Sequence, residues 1–181
     1  MFTRAGRSLR AIHSSWSAVD LAALVIRVAL GIAFVAHGGQ KLFGWFGGTG
    51  ITGTTAFFDG VGIPAPHAFA YIVGLTEFCG GLLILAGAFT LVATLALLTD
   101  MIVAIATVSH SAGFFVTAQK IGWELNLYLI GLIVAMLIIG PGGWSVDAAL
   151  GLTRRPWRAA ATAPADPAQA DDARVGVIAR R

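Results

Sequence analysis

Four stretches of this chain are apolar for long enough to cross a bilayer: residues 21–40, 69–88, 91–111 and 123–140. A spanning helix needs about 20 mostly apolar residues, and none of the four alternates in the manner of a half-buried strand. The pattern predicts an all-α polytopic membrane protein, four transmembrane helices in an antiparallel bundle. The runs are interrupted by very few charges. Arg27, His37, Glu77 and Asp100 lie inside them. A charge at the bilayer centre costs roughly 2.5–3.5 kcal/mol on the lenient insertion scale, so such residues face a protein interior and find partners there.

Helical phase predicts which faces meet. Arg27 shares a stripe with Gly31, Phe34, Gly38 and Lys41, with His37 at its edge. Glu77 aligns with Ala70, Gly74, Gly81 and Ala88; Asp100 with Ala93, Ala96, Ala104, Thr107 and Ser111; Glu124 with Tyr128, Gly131 and Ala135. Small residues mark close helix packing in membranes, so the charges are expected to point inward. At 1.5 Å per residue, Arg27 falls about 10 Å and Asp100 about 14 Å from the inner boundary. This predicts a core group of Arg27, Glu77 and Asp100 and an outer group of His37, Lys41, His110 and Glu124.

Two readings of the core group stand. Arg27 pairs with Glu77 or Asp100 as a structural staple, or one acid stays protonated and exchanges protons with a quinol or a transported ion. His37 and His110 read as a proton-transfer pair, as metal ligands or as hydrogen-bonding residues at the interface. The sequence holds no HxxH or HxxxH spacing, and a bis-histidine haem would sit at the membrane edge. His13 and His67 read as ordinary loop residues. Cys79 is the sole cysteine, which rules out an internal disulfide or a CxxC pair. It is expected to be a buried, inert small hydrophobe.

The connections add detail. Residues 1–20 read as a basic cytoplasmic lead-in with an interfacial helix over 8–16, and Asp20 as the cap of the first span. After Lys41 comes a glycine- and aromatic-rich loop of about 26 residues, with a short helix over 54–59, long enough to lie on the membrane or form a lid. Spans two and three join tightly near 87–90, and Gly140-Pro141-Gly142-Gly143 stops the last span. Residues 151–181 read as a basic tail that becomes disordered from Ala159 onward.

Composition narrows the class. Only 12% of residues are charged, against about 25% in a soluble domain. The net charge of +3 does not signal nucleic acid. Arg4, Arg7 and Arg10 precede the first span, and Arg154, Arg155 and Arg158 follow the last. Positive residues collect on cytoplasmic flanks, which puts both termini inside and the basic flanks on anionic headgroups. Trp16, Trp144 and Trp157 then fall at the inner interface, Trp45 and Trp123 at the outer one. The first apolar run is too long, and carries Arg27, to read as a signal peptide. No GxGxxG after a strand, Walker loop, GxSxG elbow or CxxCH occurs, so no nucleotide, metal or covalent haem is expected.

Three segments resemble the DoxX family of small bacterial and archaeal membrane proteins. They are Arg27-Val-Ala-Leu-Gly31-Ile-Ala-Phe-Val-Ala-His37-Gly38-Gly-Gln-Lys41-Leu-Phe-Gly44, Glu77-Phe-Cys-Gly80-Gly81-Leu-Leu-Ile-Leu-Ala-Gly87, and Gly140-Pro141-Gly142-Gly143-Trp144-Ser145-Val146-Asp147. They mark residues 21–150 as a DoxX-like four-helix domain of the inner membrane. The group takes its name from a subunit of a thiosulfate:quinone oxidoreductase, and members are membrane partners in assemblies linking oxidant defence to thiol metabolism. The resemblance implies a quinone-interacting subunit, or a membrane partner, of an oxidoreductase. Motif positions carried over are Arg27, Gly31, His37, Gly38, Lys41, Glu77, Gly80 and Gly81. The expected site has His37, Glu77 and Asp100 in the chemistry, and Arg27, His37, Lys41 and Glu77 on a quinone. The expected partners are the bilayer and a soluble redox or thiol-metabolism protein. The rival reading is a membrane scaffold, or a carrier of a small solute or protons, whose buried charges are structural.

Overall fold

The computed structural model describes residues 17–117, 120 and 122–153. The expected interfacial helix over 8–16 and the tail beyond 153 lie outside them. The elements are α1 (Ala18–Phe43), a 3-10 turn (Trp45–Gly47), α2 (Gly50–Gly60), α3 (Pro66–Ala86), α4 (Thr90–Ala104), α5 (Glu124–Ile139) and the short α6 (Val146–Ala149). Helix α4 runs on through a π-helical turn, Ile105–Ser109, and a 3-10 turn, His110–Ala112. No strand occurs among the described residues.

Among the described residues, three helices are long and apolar enough to cross a membrane: Ala18–Phe43, Pro66–Ala86 and Thr90–Ala112. Helix α5 is apolar but has 16 residues, about 24 Å against a hydrocarbon core of about 30 Å. The near end of the molecule holds Ser17 and Thr153; the far end holds the glycine-rich loop.

Small residues bring α1 and α3 together. A Cβ on Gly81 would lie 2.7 Å from the Val35 nitrogen, and one on Gly38 would collide with the Phe78 backbone. Such close approach is how helices gain packing where lipid gives no hydrophobic drive. Behind this seam, Leu30, Phe34, Ile84, Leu97, Ile133 and Met136 form the centre of the apolar core, all essentially inaccessible.

The near end is clasped by polar groups. Arg27 donates from Nε to the Ile84 carbonyl at 2.9 Å and from Nη1 to the Trp144 and Pro141 carbonyls at 2.6 and 3.2 Å. Its Nη2 donates to the Leu85 carbonyl. Asp20 accepts from the Gly143 amide at 2.6 Å. Asp147 accepts from the Phe89 and Thr90 amides at 2.7 and 2.9 Å, capping α4 from outside the helix. Gly87 has φ +65°, and a Cβ there would strike Ser145 and Arg27, so the α3–α4 turn needs glycine for both conformation and space.

Several expectations are corrected. Arg27 pairs with neither Glu77 nor Asp100; it serves main-chain carbonyls at the end of α3 and after α5. Ser17, not Asp20, is the N-cap of α1, its Oγ accepting from the Asp20 amide at 3.1 Å. Cys79 is exposed rather than buried, on the α3 surface away from the seam. The far-end helix runs over Gly50–Gly60, longer than the expected 54–59. The α4 stripe holds only in part: Ala93 is buried, while Ala96, Thr107 and Ser111 are exposed.

Candidate functional site

The C-terminal turns of α1 place His37 and Lys41 one helical turn apart, on the side that meets α3. Lys41 Nζ donates to Glu77 Oε2 at 2.5 Å; the lysine side chain is 26% exposed and the glutamate 4%. Burial of the carboxylate with a cation in contact is the arrangement a low-dielectric interior requires. Asp100 on α4 interacts electrostatically with both Glu77 and Lys41. Its Oδ2 is buried with no hydrogen-bond donor. His37 interacts with Lys41, Glu77 and the Gln40 side chain. The structure therefore brings together His37, Lys41, Glu77 and Asp100 and leaves Arg27 at the opposite end.

These four side chains share one cavity of about 520 Å³, within the roughly 300–1,000 Å³ common for small-molecule sites. Its walls are mostly apolar. Phe34 and Val73 come from α1 and α3, Met101, Val103 and Ala104 from α4, and Leu125 and Leu129 from α5. Helix α2 and the turn after it cover the top with Phe57, Phe58, Val61, Ile63 and Pro64. The cover is fixed to α1: Thr54 Oγ1 donates to the Lys41 carbonyl at 3.2 Å and to Gly50 at 2.9 Å. Gly48 lies against Gln40 so closely that a Cβ would meet its Cα at 2.8 Å. Beyond the cover, Trp45 stacks edge-on to Phe78 at 5.6 Å and seats its ring on Gly39.

Sequence reasoning missed part of this site. The π-turn of α4 contributes Val108 and buried Ser109 to the wall, beside Thr107, which the Asp100 stripe places inside; π-turns recur at functional sites. Asn126 also lines the cavity, and its Nδ2 reaches only the weak acceptor Met101 Sδ, at 3.5 Å. An amide inside an otherwise apolar run was the available signal for it. The aromatic cover comes from the glycine- and aromatic-rich loop expected to lie on the membrane or form a lid.

Other expected residues lie elsewhere. His110 is exposed. Glu124 accepts from the Tyr128 hydroxyl at 3.1 Å and the Val116 amide at 3.3 Å, away from the cavity. The expected outer group is therefore split, and Glu77 and Asp100 join its His37 and Lys41. Among the described residues, no group of three or more His, Cys, Asp or Glu side chains is placed to hold a metal.

Comparison with known proteins finds one family model and several relatives. A family model described as DoxX matches residues 22–110. The uncharacterized membrane protein Rv3486 of Mycobacterium tuberculosis is 35% identical over 134 residues, 68% of this chain and 78% of that protein. The inner membrane protein YqjF of Escherichia coli is 30% identical over 128 residues, 71% of this chain and 91% of its own length. A Bacillus subtilis protein named "Putative oxidoreductase CatD" is 32% identical over 100 residues, covering 55% and 69% of the two chains. No solved structure matches the chain.

Proposed function

Because this chain belongs to the DoxX family of membrane proteins, we propose that it is a quinone-interacting membrane subunit, or membrane partner, of an oxidoreductase linked to thiol, sulfur or oxidative-stress metabolism. The observation that carries this reading is the far-end cavity, mostly apolar on its walls, into which His37, Lys41, Glu77, Asp100 and Asn126 converge. A Bacillus subtilis relative bears an oxidoreductase name, and an Escherichia coli relative an inner-membrane one. Both lend weight to a redox role in the inner membrane.

The residues suit the group. A bound quinone supplies two-electron, two-proton redox chemistry. Lys41 and His37 offer donors to a ring oxygen, and Asn126 offers an amide from the α5 side. Lys41 balances one carboxylate, so the Glu77–Asp100 pair carries one acid more than its cation neutralises. A proton held between the two carboxyls balances the cluster and accounts for Asp100 Oδ2, which otherwise lacks a donor. That proton is positioned for transfer to, or return from, an oxygen of the ligand. The apolar walls and the aromatic cover exclude water around it. Electrons come from a soluble redox partner.

The structural reading of the charges is favoured at the near end, where Arg27 donates to four main-chain carbonyls. A polar conduit for ions is not: Leu30, Phe34, Ile84 and Leu97 separate Arg27 from Glu77 among the described residues.

The test is quinone binding to the full chain in lipid nanodiscs. Glu77→Gln and His37→Ala should each weaken binding at least tenfold, about 1.4 kcal/mol, while His110→Ala leaves it unchanged. Unaltered binding in both site variants would sink the quinone site.

A further inference from the structure

The cavity has a side as well as a floor and a cover, and its side is where the helices part. Helices α3 and α4 form an antiparallel hairpin closed at the near end by the Gly87 turn. Its register sets Glu77 beside Asp100, and toward the far end Phe69 and Val73 of α3 line the same cavity as Ala104 and Val108 of α4. The far half of the hairpin is thus parted by the cavity instead of being packed shut.

The parting coincides with the π-turn Ile105–Ser109. An extra residue in the turn widens the helix and shifts the phase of the residues beyond it. Ser109 is thereby turned inward to 2% exposure, and Thr107 faces out. On the outer side of the gap, Phe69 is 39% and Val103 47% exposed while still lining the cavity. Thr107 lies about 26 Å along the helix from Thr90, inside a hydrocarbon core of about 30 Å. Its hydroxyl is occupied by the Val103 carbonyl at 2.8 Å, so the rim presents no free donor. An apolar mouth at that depth meets acyl chains.

We propose that the π-turn of α4 holds open a lateral portal between Phe69 and Val73 on one side and Val103 and Thr107 on the other, through which the cavity takes a long-tailed amphiphile directly from the bilayer. The polar head lies against Lys41, Glu77 and Asp100, and the tail remains in the gap. The substrate class is then the membrane-resident polyprenyl quinone pool rather than a small water-borne quinone. The inference rests on the quinone reading of the site, to which it adds a route and a requirement for a tail.

Two probes with one benzoquinone head separate the ideas: one with a polyprenyl tail, delivered in the lipid of nanodiscs, and one without a tail, delivered from water. Retention of each, in excess of that on protein-free nanodiscs of the same lipid, is measured on captured nanodiscs of wild type, Thr107→Trp and Glu77→Gln, all checked for equal melting temperature. Thr107 is exposed, so an indole there is accommodated toward lipid and across the mouth. The portal predicts that wild type retains the tailed probe at least tenfold better, and that Thr107→Trp slows uptake of the tailed probe at least tenfold. It also predicts that Glu77→Gln weakens both. Equal retention of the two probes, or uptake of the tailed probe untouched by Thr107→Trp while Glu77→Gln still weakens both, overturns the portal and leaves the quinone site standing, with entry under the cover of α2. Retention of neither probe overturns the site and the portal together. Should Thr107→Trp melt early, Phe69→Ala replaces it: a wider mouth should speed release of the tailed probe alone, and unchanged release counts against the portal.

Discussion

Arg27 and Lys41 lie on one face of one helix, yet their partners are of opposite kinds. The planar guanidinium forks to four main-chain carbonyls, whereas the lysine places a point charge on one carboxylate. Geometry explains the division, since only arginine presents several donors in a rigid plane. Arg27→Ala removes the guanidinium from the Leu85, Pro141 and Trp144 carbonyls, leaves Ile84 with the Gly87 amide alone, and should cost about 3 kcal/mol in detergent melts. Because Arg27 and Asp100 share no contact, a double-mutant cycle with Asp100→Ala should be additive within about 0.5 kcal/mol. A coupling well above that value restores the staple. The membership of the site was half legible: His37, Lys41, Glu77 and Asp100 stood out as charges in apolar runs. The pairing was not legible, because Arg27's partners are carbonyls, which every residue carries and no sequence marks. Carboxylates were the only counter-charges in view.

At the scale of elements, glycine decides where helices touch. Gly38 lies under the Phe78 backbone, while Gly131 on α5 has nothing within 4 Å of an added Cβ. Gly38→Ala should destabilise the bundle by about 1–3 kcal/mol through overpacking of the α1–α3 seam. Gly131→Ala should be neutral or stabilising by up to about 1 kcal/mol, from backbone entropy alone. Thermal melts of the two in one detergent check this; equal effects would show that the seam is not the tight contact. Periodicity read α1 and α3 well, for Gly31, Gly38, Gly74 and Gly81 all fall on buried faces. It read α4 only in part up to Asp100, since Ala93 is buried but Ala96 is exposed. Past that point the π-turn slips the phase, so Thr107 and Ser111, expected inside, face out and Ser109 replaces them. A constant 3.6-residue period has no means of registering such a slip.

Across the whole molecule, polarity is gathered at two ends with an apolar layer between. The near end is a clasp and the far end a covered cavity, so damage at one should leave the chemistry of the other intact. Arginines flank both ends of the helical region, at Arg10 and before it and at Arg154 and after it; because positive flanks collect on the cytoplasmic side, we propose that the near end faces the cytoplasm. In a Cys79→Ser background, Ser17→Cys and Thr153→Cys should react with an impermeant thiol reagent only from the cytoplasmic side, and Gly47→Cys only from the other. The opposite pattern would invert the molecule and set the cavity on the cytoplasmic face. The clasp also bears on how the protein is made. Arg27 enters the membrane with the first helix, but its partners are synthesised later, 57 residues on for Ile84 and 117 for Trp144. Until the ribosome has delivered both, the guanidinium lacks the full set of carbonyls that holds it in the finished chain. The first helix to be inserted is thus among the last to be completed, and the nascent chain depends on the insertion machinery to shelter a charge that the finished protein shelters by itself.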